Sequence, residues 1–439
     1  YAYFKGTNSG NKVTVEGSVT DSRFDLGTGS ANNTFTAKKG NTAQAMKNVS
    51  ITAVTSGNNT VTGGAYSATE AGHTINLGGA GKNTLELSSI SGKSMDDKLS
   101  IILGADAATT DQTLTVKGSV KYLDFTGSNA KEIINIQGAV SGSNFALKGG
   151  DDTFDAGKNG KYQNLANTSI ISTAGNTTVK AGAYSSTMVG KNYSINLGGA
   201  GKNTLELSSI SGKSEADKLS IILGADAATA DQTLTVKGAA KNLNFTGSNA
   251  KEVINIEGAV TNSLFTMNGG NDEFSAVKGT NDQTLKNTTI TSTGGNTKVT
   301  AGAFTATANG HKIALAGSGA NAVTHSSVGG EGNETDAGRL DITLGDASST
   351  AAQKLTVSGA VKNLKYTGTD GLDTIAVCLF YTSDAADEEA SVDPGGRRIT
   401  YKKQHHGTTP VPPPPGTPPL RAVAYPSNPP GHLHPTHSH

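Results

Sequence analysis

The chain has 439 residues, of which 56 are glycine, 12 are proline and one is cysteine, with no tryptophan. Its hydrophobic fraction of 34% is below the roughly 45–50% of ordinary globular domains, so a single large core is not expected. The 36 basic residues balance the 36 acidic ones, which argues against nucleic-acid binding, and no apolar run approaches the roughly 20 residues that span a bilayer.

Short β-strands are predicted along most of the chain by pairs of apolar residues that flank one other residue and precede a glycine. Leu114 and Val116, followed by Gly118, are an example. Alternation with a period of two indicates a strand, and glycine permits the positive φ of a tight turn. The pattern predicts strands that start near residues 114, 123, 134, 145, 154, 170, 179, 195, 205 and 219.

The spacing of these strands predicts a coiled chain path. Starts at 114, 134 and 154 are 20 residues apart, which favours two strands per coil, as in a flattened β-roll. Later spacings stretch to 16 residues, so three strands per coil remain an alternative. A single coil buries too few side chains to be stable alone, and stacking must supply its stability. The expected fold is therefore all-β, an elongated parallel β-solenoid.

Internal repeats predict tandem units of about 120 residues. The segment GGAGKNTLELSSISGKS occurs at 78–94 and again, unchanged, at 198–214. Phe4, Phe125, Phe245 and Tyr366 recur at intervals of 121, 120 and 121 residues. The predicted units are residues 1–124, 125–244 and 245–365, and residues 366–377 begin a fourth.

The amino-acid composition of the chain changes at Cys378. All 12 prolines, the cysteine and six of the nine histidines lie in residues 378–439. Residues 378 to about 400, CLFYTSDAADEEASVDPGGRRIT, resemble the translation of a transposase-type DNA sequencing adapter. The resemblance implies that residues 378–439 are an artefactual, disordered tail. The alternative is a genuine proline-rich linker with a histidine-rich metal-binding end.

Several turns resemble the repeats-in-toxin (RTX) nonapeptide, G-G-x-G-x-D-x-apolar-x. GGAGKNTLE at 78–86 differs only in having Asn83 at the aspartate position, and related segments begin at residues 149, 269 and 368. The resemblance implies a parallel β-roll that binds calcium in its turns, with Asp152, Asp272, Asp370 and Asp373 as candidate ligands. The matches are isolated, and calcium takes six to eight oxygen ligands. The alternative is that these residues simply form good turns.

No catalytic or cofactor-binding residue is assigned, and we expect no enzymatic activity. The first 377 residues contain two arginines and three histidines, and near-identical repetition argues against one unique active site. A solenoid enzyme would need acids and a base clustered on neighbouring coils.

Three functions follow in order of preference. The first is a structural or adhesive stalk of a large secreted or surface-exposed bacterial protein, since the composition resembles giant-adhesin, S-layer and autotransporter-passenger repeats. Its ligand, a glycan or a protein, is not identified, and it needs no cofactor. The second is a calcium-binding RTX-type β-roll of an exported toxin or exoenzyme. The third is a carbohydrate-active β-solenoid enzyme.

Overall fold

The computed structural model describes residues 1–7, 9–308, 310–330 and 339–377. The predictions for the tail, residues 378–439, lie outside the described residues. Within them the chain is all-β, without helix, and forms a parallel β-solenoid of about 15 turns. The predicted fold class is confirmed in this respect. The division into units of about 120 residues stays a prediction.

Each coil has three faces, two long and one short. In one coil, Gln112–Val116 forms face A, Val120–Lys121 forms the short face B, and Leu123–Thr126 forms face C. Each strand pairs in parallel with the strand of the same face one coil away, as in the registers Leu114↔Ile134 and Phe125↔Phe145. At about 4.8 Å between neighbouring strands, 15 turns extend for roughly 70 Å.

The strands of face A are Lys12–Val15, Asn33–Lys39, Asn59–Thr62, Asn83–Leu87, Gln112–Val116, Glu132–Ile136, Thr153–Asp155, Gln232–Val236, Glu252–Ile256, Glu273–Ser275, Lys354–Val357 and Thr374–Val377. Those of face B are Ala65–Ser67, Ser89–Ser91, Val120–Lys121, Val140–Ser141, Leu165–Ala166, Ala240–Lys241, Val260–Thr261, Leu285–Lys286 and Val361–Lys362. The strands that run through faces A and B are Thr178–Ser185, Thr204–Ser211, Lys298–Ala306 and Ala322–Gly330.

The strands of face C are Tyr3–Lys5, Thr74–Leu77, Leu99–Leu103, Leu123–Thr126, Asn144–Lys148, Ser169–Ser172, Ser194–Leu197, Leu219–Leu223, Leu243–Thr246, Leu264–Thr266, Thr289–Ser292, Lys312–Leu315, Leu340–Leu344 and Leu364–Thr367. Val19–Asp25 and Met46–Thr52 run through faces B and C. Short antiparallel hairpins add Thr42–Ala43, Gly157–Lys158 with Lys161–Tyr162, and Val277–Lys278 with Asn281–Asp282.

The presence of face B shows that a coil has three strands, and not the two that the strand spacing favoured. The strands of face B are often only two residues long and carry one inward side chain, such as Val120 or Val140, both fully buried. A two-residue strand cannot show alternation, so the sequence pattern gave no signal for it. The 20-residue coil itself is present, since Gln112, Glu132 and the residues that follow them are paired in register.

The interior is filled by aligned aliphatic and aromatic side chains. Leu114 and Ile134 stack in register on face A, and Phe125 and Phe145 stack on face C with ring centroids 6.0 Å apart. Phe145 also meets Phe154 from the opposite face, edge to face at 5.0 Å. All of these side chains are buried. The paired apolar residues of the sequence therefore build one continuous narrow core, rather than separate globular cores.

The corner between faces B and C requires a residue whose backbone adopts the left-handed conformation, with positive φ. The residues with positive φ at this corner are Asp21, Asn48, Tyr122, Gly142, Asn167, Asn242, Asn262, Asn287 and Asn363. Asparagine, aspartate and glycine adopt this conformation at the lowest cost, which explains the frequency of asparagine there. The described residues include no helix long and apolar enough to cross a membrane.

Candidate functional site: a buried polar ladder

One polar side chain per coil faces the interior at the start of face A. Each lies two residues before the first inward apolar residue of that face, and so has the same orientation in the strand. We call this row the polar ladder. Its rungs are Asn11, Asn33, Asn59, Asn83, Gln112, Glu132, Asp152, Thr177, Asn203, Gln232, Glu252, Asp272, Thr297, Asn321, Gln353 and Asp373. All except the half-buried Asn11 and Asp373 are buried.

The buried asparagine rungs donate a hydrogen bond to the next coil. The glutamine rungs instead donate to carbonyls of the preceding coil and of their own turn. Asn33 Nδ2 donates to Asn59 Oδ1 at 3.0 Å, and Asn59 Nδ2 donates to Asn83 Oδ1 at 2.7 Å. Asn83 Nδ2 donates to Gln112 Oε1 at 2.8 Å, and also to the carbonyls of Gly79 and Gly81. The amide therefore ties its own turn to the next coil. A buried polar group is stable only when its hydrogen bonds are made, and here they are.

Two consecutive rungs, Glu132 and Asp152, are carboxyl groups. The Glu132 backbone N–H donates to Asp152 Oδ1 at 2.9 Å. Ser128 donates to Glu132 Oε1 from its N–H at 2.8 Å and from its hydroxyl at 2.6 Å. Ser172 Oγ lies 3.4 Å from Asp152 Oδ2. Glu132 Oε2, in contrast, is buried without a hydrogen-bond partner.

The same arrangement recurs 120 residues later at Glu252 and Asp272. The Glu252 N–H donates to Asp272 Oδ1 at 3.0 Å, and Ser248 donates to Glu252 Oε1 from both its N–H and its hydroxyl. Ser292 Oγ donates to Asp272 Oδ2 at 3.2 Å, and Glu252 Oε2 again has no partner. We call Glu132–Asp152 and Glu252–Asp272 the carboxyl pairs.

Burial raises the pKa of all four carboxyl groups of these pairs. Hydrogen bonds from Ser128 and Ser248 oppose that shift for the two glutamates, and the neighbouring aspartate adds to it. The physical cause is the loss of hydration, which penalises a charged carboxylate more than a neutral acid. For the two glutamates a second cause is repulsion from the aspartate on the adjacent coil, and for Asp152 it is repulsion from Asp151.

Three of the four predicted calcium ligands are rungs of the polar ladder. Asp152 and Asp272 are the aspartates of the two buried carboxyl pairs, and four other rungs lie between them. Asp373 is half-buried and accepts hydrogen bonds from the N–H and hydroxyl of Thr369, while Asp370 is exposed in the same turn. Within the described part of the chain, no three His, Cys, Asp or Glu side chains are grouped as metal ligands. The calcium assignment stays a prediction.

A shallow groove near the start of the chain collects charged side chains that the sequence alone did not group. Asp21, Arg23, Glu70 and His73 line it, and its volume is about 440 Å³. Asp21 already accepts a hydrogen bond from Asn48 Nδ2 at 2.8 Å. The groove mixes acidic and basic groups, so it has no strong preference for one sign of ligand charge.

Sequence reasoning missed the ladder as a feature, although a signal for it was present. The pattern polar-x-apolar-x-apolar places a polar residue on the inward side of a predicted strand, as in Gln112, Leu114 and Val116. Its recurrence in nearly every coil distinguishes it from an ordinary turn residue. A scan against protein-family models, a search of curated proteins and a search of solved structures each found no match for the chain.

Proposed function

We propose that this chain is a structural segment, a β-solenoid stalk of a large secreted or surface-exposed bacterial protein, without catalytic activity. The observation that carries the proposal is the polar ladder together with the unbroken parallel pairing of faces A and C. Every coil is tied to the next through backbone bonds, stacked apolar side chains and, in most coils, a buried polar side chain. Such an arrangement resists separation of neighbouring coils, which is what a spacer requires.

The exposed positions support a structural role over a specialised site. The outward-facing, half-buried positions of face A include many threonines, such as Thr113 and Thr115 in one coil and Thr233 and Thr235 in another. Ion pairs such as Lys237–Glu257, at 3.0 Å, lie exposed on this side. Exposed ion pairs contribute little stability and balance the surface charge. An adhesive role would require a glycan or protein ligand for this polar surface.

The second candidate is a calcium-binding β-roll, favoured by the position of Asp152, Asp272 and Asp373 at equivalent points of three separate coils. Against it, Asp152 Oδ1 and Asp272 Oδ1 each already accept a backbone N–H. A donor that points at a carboxylate oxygen competes with a cation for the same oxygen. We therefore rank the structural function first.

Circular dichroism and small-angle X-ray scattering of the full chain, with calcium and with a chelator, separate the two candidates. For a structural stalk we expect the same strand signal and the same extended scattering profile in both conditions, because the ladder needs no metal. Loss of strand signal on chelation would instead support the calcium-binding β-roll. The matched variant is Asp370→Asn, which removes an exposed candidate ligand without touching the ladder.

A direct test of function uses binding and turnover assays on the full chain. Binding to a glycan array or to host-surface proteins would identify the adhesive form of the proposal. Turnover of acidic polysaccharides would contradict it. The groove variant Arg23→Ala with His73→Ala would then show whether that activity resides at Asp21, Arg23, Glu70 and His73.

A further inference from the structure

The buried asparagine rungs of the polar ladder follow a donor rule that the carboxyl pairs do not satisfy when fully charged. At the amide rungs Asn33, Asn59 and Asn83, the side-chain NH₂ donates to the oxygen of the following rung. At Glu132 the following rung is Asp152, and a charged Glu132 has nothing to donate. Its Oε2 is the atom left buried without a partner, and the same is true of Glu252 Oε2. Each charged glutamate therefore lacks the hydrogen atom that an amide would donate from the same position.

We propose that each carboxyl pair holds one shared proton, carried by the glutamate and donated toward the aspartate of the next coil, so that these coils lose stability when the proton leaves. A protonated carboxyl group is the acidic counterpart of the amide at the other rungs, because it has one donor and one acceptor oxygen. The bound proton gives Glu132 Oε2 the partner that it lacks. At alkaline pH the proton passes to solvent, and two buried carboxylates face each other.

The surroundings of the pairs favour a neutral glutamate. Glu132 and Asp152 have at most 1% of their surface exposed, and the preceding rung, Gln112, is uncharged. The rung after Asp152 is the uncharged Thr177, and Asp152 Oδ2 contacts the uncharged Ser172. The charged neighbour that acts on Asp152 is Asp151, which also disfavours a second negative charge. In the other pair, the neighbouring rungs of Glu252 and Asp272 are likewise uncharged. They are Gln232 before the pair and Thr297 after it, and Thr297 Oγ1 is bonded to Ser292, the serine that donates to Asp272.

The direction of the pH effect follows from the raised pKa values. Folded carboxyl groups with a raised pKa keep protons that the unfolded chain has released, so folding stability falls as pH rises. The loss begins near the ordinary carboxyl pKa of about 4 and is complete above the raised pKa. His325 and His311 act in the opposite direction below about pH 6.5, because burial lowers the pKa of both side chains. The window from about pH 6.5 to about pH 9.5 therefore isolates the carboxyl pairs.

The test compares thermal unfolding of the full chain and of the double variant Glu132→Gln with Glu252→Gln across this window. In the wild type we expect the unfolding temperature to fall by roughly 5 °C or more. In the variant we expect roughly half that fall or less, because glutamine donates to the aspartate without titrating. The matched control is Asp111→Asn with Asp231→Asn, which removes two exposed acids one residue before the preceding rungs and should behave as the wild type.

Equal falls in the wild type and the glutamine variant would overturn the proposal, as would an equally reduced fall in the control. If the glutamine variant does not fold, infrared spectroscopy of the wild type decides the question. Near neutral pH it should show the C=O stretch of protonated carboxylic acids, and this band should disappear as the pH is raised. Absence of that band in the folded chain at neutral pH would contradict a shared proton.

Discussion

At the scale of single residues, the corner between faces B and C tests the role of asparagine. Asn242 has a φ of 52° and donates from Nδ2 to the carbonyl of Gly212 at 3.0 Å. Asn242→Ala should lower stability by about 2 kcal/mol, since it adds left-handed strain and removes a buried hydrogen bond. Asn242→Gly tolerates the same φ and loses only the hydrogen bond, so we expect about half that loss.

Chemical denaturation of both Asn242 variants measures this difference. If the alanine and glycine variants were equally stable, backbone strain would not be the reason for asparagine at this corner. Tyr122, with a φ of 57° at the same corner, shows that another residue is tolerated there when its side chain finds contacts. Lys121 Nζ lies 4.6 Å from the centre of the Tyr122 ring.

His325 is a second residue whose effect has a defined direction. It is fully buried in register between Ala301 and Val357, stacks on Phe304 with ring centroids 5.4 Å apart, and has its pKa lowered to about 4 by burial. The unfolded chain binds a proton at this site below about pH 6.5 and the folded chain does not, so the wild type loses stability as the pH falls.

His325→Val should therefore gain thermal stability relative to the wild type at about pH 4.5, and gain less at about pH 7.5. Thermal unfolding at the two pH values checks this. The carboxyl pairs change the stability of both proteins equally, so their contribution does not affect the difference between the two. A stability difference independent of pH would show that His325 acts only through packing. Sequence reasoning did not place this histidine in the core, because its neighbours Thr324 and Ser326 form an ordinary polar segment.

At the scale of elements, sequence reasoning recovered what has a strong local period. Strands with two inward side chains, such as Gln112–Val116 and Leu123–Thr126, were predicted close to their actual positions. Face B was missed because its strands are too short to alternate. A local sequence pattern also cannot predict contacts between loops that are far apart in the chain. Tyr193 Oη, for example, lies 3.1 Å from Met95 Sδ, 98 residues earlier in the chain.

The candidate site was predictable only in part, for a related reason. Turn motifs drew attention to Asp152 and Asp272, but a motif cannot show whether an aspartate points to solvent or to the interior. That distinction depends on the register of face A, where Phe154 and Phe274 point inward and the aspartates two residues earlier must do the same. Their partners Glu132 and Glu252 carry no turn motif, so pairing across coils was required to find them.

At the scale of the whole molecule, the stacking of coils determines how far the destabilising effect of a substitution extends. The backbone bonds of each coil run to the coils before and after it, and only side-chain contacts such as Lys148–Asp106 reach further. Stability is therefore close to a sum of coil terms and nearest-neighbour terms. Asn203 joins three consecutive coils, because it accepts the Thr177 N–H at 3.1 Å and donates to Gln232 Oε1 at 2.9 Å. Its removal should weaken both interfaces and leave distant coils unchanged.

Asn203→Ala should cost about 2–3 kcal/mol locally, since it leaves buried polar groups on both neighbouring coils without partners. By hydrogen exchange with mass spectrometry on the full chain, we expect faster exchange in Thr178–Ser185 and Gln232–Val236 but unchanged exchange in Asn59–Thr62. The matched control Lys202→Ala alters the exposed preceding side chain and should change neither region. If exchange rose equally in all three strands, the body would unfold as one cooperative unit, and stability could not be assigned to neighbouring coils.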